Sequence, residues 1–271
     1  MRILKRAVTL LLAALMLAGA LSGAAAEVGT DGPAERRETG LEQFIVLHGS
    51  PDSPRVALTM DDCTDREIVW KAAELCRKHG ITMTFFPNGV NLHPKEGKGW
   101  RGILEAGCEI GSHGEDHMAL KYQDRVAPEL MVFQQHLDET LGEHYPVRWF
   151  RPPYGALEDE QGSMTMIMYR IRQCGYDHAL LWNVSYMLDA RGAFEQARNG
   201  SIFLFHATEG DLKCLEGLIP LLLEAGFQPV TVSELFGFEP PRPGGEKYVY
   251  DRKTFRYPRP DPGKWPQDPD S

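Results

Sequence analysis

Residues 55–80 read RVALTMDDCTDREIVWKAAELCRKHG. The apolar run ends at two adjacent carboxylates, Asp61 and Asp62, and a helical pattern follows that closes on Gly80. Strand, polar junction, helix and terminal glycine together make one βα unit. The same alternation continues along the chain. ITMTFFPNGV leads to GWRGILEAG, CEIGSH to PELMVFQQHLDETLG, VRWFRPPYG to MTMIMYRIRQCG, HALLWNVSY to GAFEQARNG, and SIFLFHAT to DLKCLEGLIPLLLEAG, before a closing FQPVTVSELFG. Seven strand candidates separated by helices imply a mostly parallel sheet, either open and doubly wound or closed into a barrel. Gly80, Gly107, Gly175 and Gly226 stand where left-handed helix caps belong.

In either architecture chemistry gathers at the C-terminal ends of the strands. DD, SHGEDH, RPPYG, WNVSY and FH all fall at that edge. Two like charges side by side at the end of a buried strand cost free energy unless a cation or a shared proton neutralises them. Thr64 and Glu67 fit a T-x-x-E capping box for the helix, which leaves Asp61 and Asp62 for another purpose. His113 and His117, four residues apart, complete a two-His, one-carboxylate set with one aspartate as ligand and the other free as a base. Arg151 at a strand end needs a carboxylate partner, and the Pro152-Pro153 pair would hold the backbone N–H of Tyr154 in the fixed orientation of an oxyanion donor. His206, closing an apolar strand at the same edge, is placed to act as general acid.

The flanks differ from this pattern. Residues 1–26 carry Arg2, Lys5 and Arg6, an apolar stretch and a small-residue end at Ala24-Ala25-Ala26, as a cleaved secretory signal does; the alternative is an uncleaved membrane anchor. Residues 27–42 read as a linker, 43–238 as the domain, and 239–271 as an extension with 8 of the chain's 19 prolines. Within that extension KYVY and TFRY alternate as a small hairpin would. The formal charge is −9, and −12 without residues 1–26, so the surface repels nucleic acid and anionic lipid. Cys63, Cys76, Cys108, Cys174 and Cys214 form no C-x-x-C pair, which argues against a zinc knuckle or redox motif.

LTMDD, SHGEDH, RPPYG, LLWNVSY and FLFH, in this order, resemble the five motifs of the polysaccharide deacetylase family, also called the NodB-homology domain or carbohydrate esterase family 4. The resemblance covers about residues 55–236 and implies a distorted (β/α) barrel of about seven parallel strands. It also implies metal-dependent removal of acetyl groups from an acetylated polysaccharide or oligosaccharide, with possible association with a cell wall. By this resemblance Asp61 is the general base, and Asp62, His113 and His117 hold a divalent ion, zinc first and cobalt or another divalent metal second. Arg151 holds the base, the Tyr154 amide is the oxyanion donor, His206 is the acid, and Trp182 and Leu204 lie near the pocket for the acetyl methyl. Four positions depart from the family pattern: Cys63 after the aspartates, Gly114 after the first histidine, Ser185 where an aspartate partners the acid, and Ala207 after His206. The last two departures leave a non-catalytic polysaccharide-binding protein as the competing expectation.

Overall fold

The computed structural model describes residues 44–176, 178–185 and 189–256. The secretory segment and linker expected over residues 1–42 lie outside the described residues, as does the end of the extension. The described strands are β1 (Ile45–Val46), β2 (Arg55–Asp62), β3 (Thr84–Pro87), β4 (Glu109–Ile110), β5 (Trp149–Phe150), β6 (His178–Leu180), β7 (Ile202–His206) and β8 (Gln228–Val230). The helices are α1 (Arg66–His79), α2 (Gly97–Glu105), α3 (Gln123–Ala127), α4 (Phe133–Leu141), α5 (Thr165–Gln173), α6 (Ala190–Gln196), α7 (Glu209–Glu224) and α8 (Val232–Leu235), with a π-helical stretch, Pro128–Val132, joining α3 to α4.

All named strand pairs are parallel. One sheet runs β4-β3-β2-β7, with β8 on the start of β2, and the other runs β1-β6-β5. Two isolated parallel bridges, Ser112 to Phe150 and Val184 to Phe203, join the sheets at both ends. The strand order β2-β3-β4-β5-β6-β7 thereby returns to β2, as a distorted barrel requires.

Successive strand side chains point to opposite faces, and the burial of β2 follows that period. Val56, Leu58 and Met60 pack outward with Phe85, Phe203 and Phe205 against Ile68, Val69, Trp100 and Leu215 of the surrounding helices. Ala57 points inward with Phe86, Trp149, Leu180 and Ile202, and α8 adds Val232 and Leu235 to the same inner cluster. Trp149 donates to Ser233 Oγ at 2.9 Å, and the Val232 N–H bonds Thr84 Oγ1 at 2.9 Å. α8 thus plugs the ring at the N-terminal ends of β3 and β4. Asp61, in phase with Ala57, faces the interior at the opposite end.

Gly80, Gly107, Gly175 and Gly226 have φ of 64°, 81°, 94° and 84°, the left-handed conformation expected of helix-terminating glycines. Three expectations are corrected. The N-cap of α1 is Asp65, whose Oδ1 accepts from the Glu67 and Ile68 N–H groups, so Thr64 does not form the capping box. β1 is an additional strand, paired with β6. Residues 247–250 form no hairpin: Tyr248 N–H bonds Asp138 Oδ2 at 2.7 Å and Tyr250 N–H bonds Gln135 Oε1 at 2.9 Å, which lays the extension along α4.

Candidate metal and catalytic site

Among the described residues, four that are not glycine adopt positive φ: Asp62 (60°), Cys63 (52°), His117 (61°) and Tyr154 (60°). Left-handed backbone costs a side-chain-bearing residue about 1–3 kcal/mol and persists only where its surroundings impose it. These four lie in three different loops, and all three loops sit at the C-terminal edge of the ring.

The turn after β2 is fixed by the Cys63 N–H on Asp61 O at 2.6 Å and by Asn91 Nδ2 on Asp62 O at 3.2 Å. It sets the Asp62 carboxylate beside His113 and His117. Asn88 Nδ2 then donates to Asp62 Oδ1 at 3.1 Å. Cys63 is fully buried, its Sγ lies 3.6 Å from Met60 O, and burial together with the Asp61 charge pushes its thiol well above the ordinary range. The thiol faces the core and lies outside the donor cluster of Asp62, His113 and His117.

Beyond β4, His113 is buried and its Nδ1 lies 2.8 Å from Arg151 O. A carbonyl can only accept, so Nδ1 carries the proton and neutral His113 presents a lone pair at Nε2. Burial, the largest influence, favours that neutral form. His113 Nε2 stands 3.6 Å from Asp62 Oδ1 and 3.8 Å from Asp61 Oδ2, and His117 Nε2 stands 3.3 Å from Asp62 Oδ1. Donor atoms of Asp62, His113 and His117 all lie within 4.8 Å of one another. Electron pairs facing one another across such gaps repel unless a positive centre lies between them. Two donors each about 2.0–2.1 Å from a tetrahedral zinc would be about 3.4 Å apart, close to the separations found here. The residues present therefore fit a divalent ion.

The histidine loop is held from two sides. Gly114 O and Glu115 O accept from the Gly89 and Val90 N–H groups at 3.0 and 2.9 Å. Glu129 Oε2 accepts from the Glu115 and Asp116 N–H groups at 3.0 and 3.2 Å, and its Oε1 pairs with Arg125 at 3.0 Å. Gly114 takes φ of 81°, and a Cβ there would stand 3.3 Å from Glu129 Oε2.

Arg151 is fully buried under Asp61. Its Nη1 donates to Asp61 Oδ1 and to Thr59 Oγ1, both at 2.7 Å, and Nη2 reaches Leu181 O at 3.3 Å. The guanidinium lies 4.5 Å over the Phe86 ring and 5.8 Å from the Trp182 ring. Burial moves Arg151 below the usual guanidinium range, while the Asp61 charge opposes that shift. In the turn that follows, the Gly155 and Ala156 N–H groups bond Pro152 O and Pro153 O at 2.9 and 3.1 Å. The exposed Tyr154 ring lies 4.5 Å edge-on from His117.

His206 is the register partner of Asp61 on β7, and Leu204 is the partner of Thr59, one inward step earlier. Leu204 is buried, whereas Trp182 is half-buried with its ring 3.4 Å from the Cβ position of Gly155. Asp189 caps α6 through the Gly192 N–H at 2.7 Å. The structure thus brings Asp61, Asp62, His113, His117, Arg151 and Tyr154 together, places His206 on the adjoining strand, and sets Trp182 and Leu204 at the border.

Sequence reading missed four polar residues: Asn88, Asn91, Glu129 and Asp211. Glu129 carried a signal, since it falls on the apolar stripe of Val126, Leu130, Phe133 and Leu137 and is itself buried. Asp211 also carried one, in the T-x-x-D pattern begun by Thr208.

The sequence pattern of the family described as Polysaccharide deacetylase matches residues 48–179. Among curated proteins, the peptidoglycan-N-acetylglucosamine deacetylase PgdA of Listeria monocytogenes (strain 10403S) is 26% identical over 189 residues, which are 68% of this chain and 39% of PgdA. The chain thus spans about two fifths of that relative's length. Among solved structures, a CE4 family pseudoenzyme from Bacillus anthracis superposes with a TM-score of 0.60 at 22% identity, covering 70% of this chain and 68% of the other. A family 4 acetyl xylan esterase from Clostridium thermocellum in complex with a cobalt ion gives a TM-score of 0.55 at 21% identity, covering 67% of this chain and 89% of the other. At these identities the structural likeness establishes the fold. Residues 48–179 belong to the polysaccharide deacetylase family.

Proposed function

We propose that the chain is a secreted, metal-dependent deacetylase that hydrolyses N-acetyl or O-acetyl groups of a cell-wall or extracellular polysaccharide. The observation that carries this reading is the clustering of the Asp62, His113 and His117 donors beside an aspartate that is itself fastened to a buried arginine. A divalent ion held by those three residues supplies Lewis acidity toward the acetyl carbonyl. Zinc suits the two-nitrogen, one-oxygen set, and cobalt is the second choice.

Asp61 takes the proton of the attacking water, and Arg151 holds its carboxylate in place through Nη1 at 2.7 Å. The Tyr154 N–H, which meets no acceptor among the described residues, stabilises the developing oxyanion. His206 gives a proton to the departing amine or alcohol. Trp182 and Leu204 border the acetyl methyl. Peptidoglycan is the favoured substrate class, supported by the similarity to PgdA, and export rests on the composition of residues 1–26.

The test is acetate release from peptidoglycan fragments, chitooligosaccharides and acetylated xylan, with and without added Zn²⁺ or Co²⁺. Metal-dependent acetate from one of them supports the reading. The competing reading, a non-catalytic polysaccharide binder, is motivated by Ser185 and Ala207. It prevails if no substrate yields acetate while one metal ion remains bound per chain.

A further inference from the structure

We propose that Asp211 is the positioning residue for His206, supplying the carboxylate that Ser185 and Ala207 do not. This inference rests on the reading of His206 as the proton donor.

Asp211 is the third residue of α7, whose N-cap is Thr208, and Thr208 Oγ1 accepts the Asp211 N–H at 3.1 Å. In an ordinary capping box the acidic side chain at this position returns to the N–H of the cap residue itself. Here the Thr208 N–H is already bonded to His206 O at 2.8 Å, in a tight turn directly after β7. Asp211 Oδ2 instead reaches two residues further back and accepts the His206 N–H at 2.7 Å. The same oxygen stands 3.9 Å from His206 Nδ1. That separation is long for a hydrogen bond but suits an ion pair with the imidazolium, and such contacts commonly tighten only when substrate is bound.

The environment makes the charge effective. The Asp211 side chain is 12% exposed and that of His206 is 26% exposed, so solvent screens the pair only in part. Charged groups at this end of the packed elements include Asp61 and Asp62 on β2, with Arg151 behind Asp61, Asp189 at the head of α6, Glu209 at the head of α7, and Lys71 on α1. Asp61 is engaged by Arg151, Asp189 by the Gly192 N–H, and exposed Glu209 by Lys71 at 3.7 Å. Asp211 is the carboxylate whose oxygen bonds the His206 backbone and also lies near its ring.

The test is the titration of His206 by NMR in the full chain loaded with Zn²⁺, its resonance assigned by loss in His206→Gln. Asp211→Asn keeps an acceptor for the His206 N–H and removes the charge. The expected result is a fall in the His206 midpoint of about one pH unit, because an opposite charge within a few ångströms favours the protonated form. The alkaline limb of acetate release should move down by the same amount with the acid plateau retained, and Asp211→Glu should restore both. If Asp211→Asn does not fold, Asp211→Ser is the second neutral variant. An unmoved His206 midpoint, or a loss of thermal stability alone, overturns the proposal. A shifted midpoint in a protein that releases no acetate upholds the pairing and overturns the proposed function.

Discussion

Arg151 Nη1 lies 2.7 Å from Asp61 Oδ1, and the two side chains are 0% and 3% exposed. The same arginine offers its backbone carbonyl to His113 Nδ1 at 2.8 Å. One residue at the end of β5 therefore orients an aspartate with its side chain and a histidine with its main chain. The two partners face each other, with His113 Nε2 3.8 Å from Asp61 Oδ2 and 3.6 Å from Asp62 Oδ1, so displacement of Arg151 disturbs the carboxylate and the metal-donor set together.

Replacing Arg151 with Met leaves Asp61 buried without its counter-charge. Removing one member of a buried ion pair costs about 3–5 kcal/mol. The double variant Asp61→Asn, Arg151→Met leaves no uncompensated charge and should be clearly more stable than Arg151→Met alone. Urea unfolding of the three proteins checks this; equal stabilities of the single and double variants would show that the pair carries no such coupling.

Asp61 and Asp62 are neighbours in sequence with different surroundings. Asp62→Ala and His113→Ala should abolish metal retention, whereas Asp61→Asn should keep the metal and lower turnover by about 10²–10⁴-fold, the usual contribution of a general base. Metal analysis after gel filtration, paired with acetate release, separates the cases. Metal lost in Asp61→Asn and kept in Asp62→Ala would reverse the two roles.

Much of this arrangement is legible in the sequence because strand ends in parallel folds carry their polar residues at one edge. The apolar run closing on Asp61 and the glycines closing the helices are local signals, and the structure follows them. The cap of α1 was misplaced by one residue because Thr64 and Asp65 are both competent caps. The structure uses Asp65, directly after the left-handed turn at Asp62 and Cys63, which has no local sequence signature. Strand β1 is two residues long, too short for alternation to register, and is defined by its pairing with β6. Asp211 escaped notice because its reach to His206 depends on the turn at His206 and Thr208, and Glu129 because the N–H groups it accepts from lie on a loop 13 and 14 residues away.

Glu129 makes a separable contribution to the metal donors. It touches neither histidine ring, yet it takes two N–H groups from the segment between them. Glu129→Ala should leave Asp62, His113 and His117 in place while weakening metal affinity about 10–100-fold, as loss of outer-shell partners does. Competition with a chelator measures this. Unchanged affinity would show that the bonds from Gly89 and Val90 suffice to hold the loop.

At the other end of the ring, Glu109 is fully buried, with Oε1 accepting from Ser233 Oγ at 2.6 Å and Oε2 from the Ser233 N–H at 2.9 Å. Burial raises its carboxyl above the ordinary glutamate range, opposed in part by these bonds. The folded chain therefore holds this proton at pH values where the unfolded chain has released it, so ν of the native state exceeds that of the unfolded state and stability falls as pH rises. The contribution is fully present below the unfolded glutamate value of about 4.3 and is lost as pH climbs through the raised folded value. Glu109→Gln has no proton to lose there, so the stability difference between variant and parent should shift in the variant's favour across that interval. Urea midpoints of both proteins taken stepwise upward from pH 4.5 test this; a constant difference would mean that the Ser233 bonds offset burial and that Glu109 ionises in the folded chain as it does in the unfolded one.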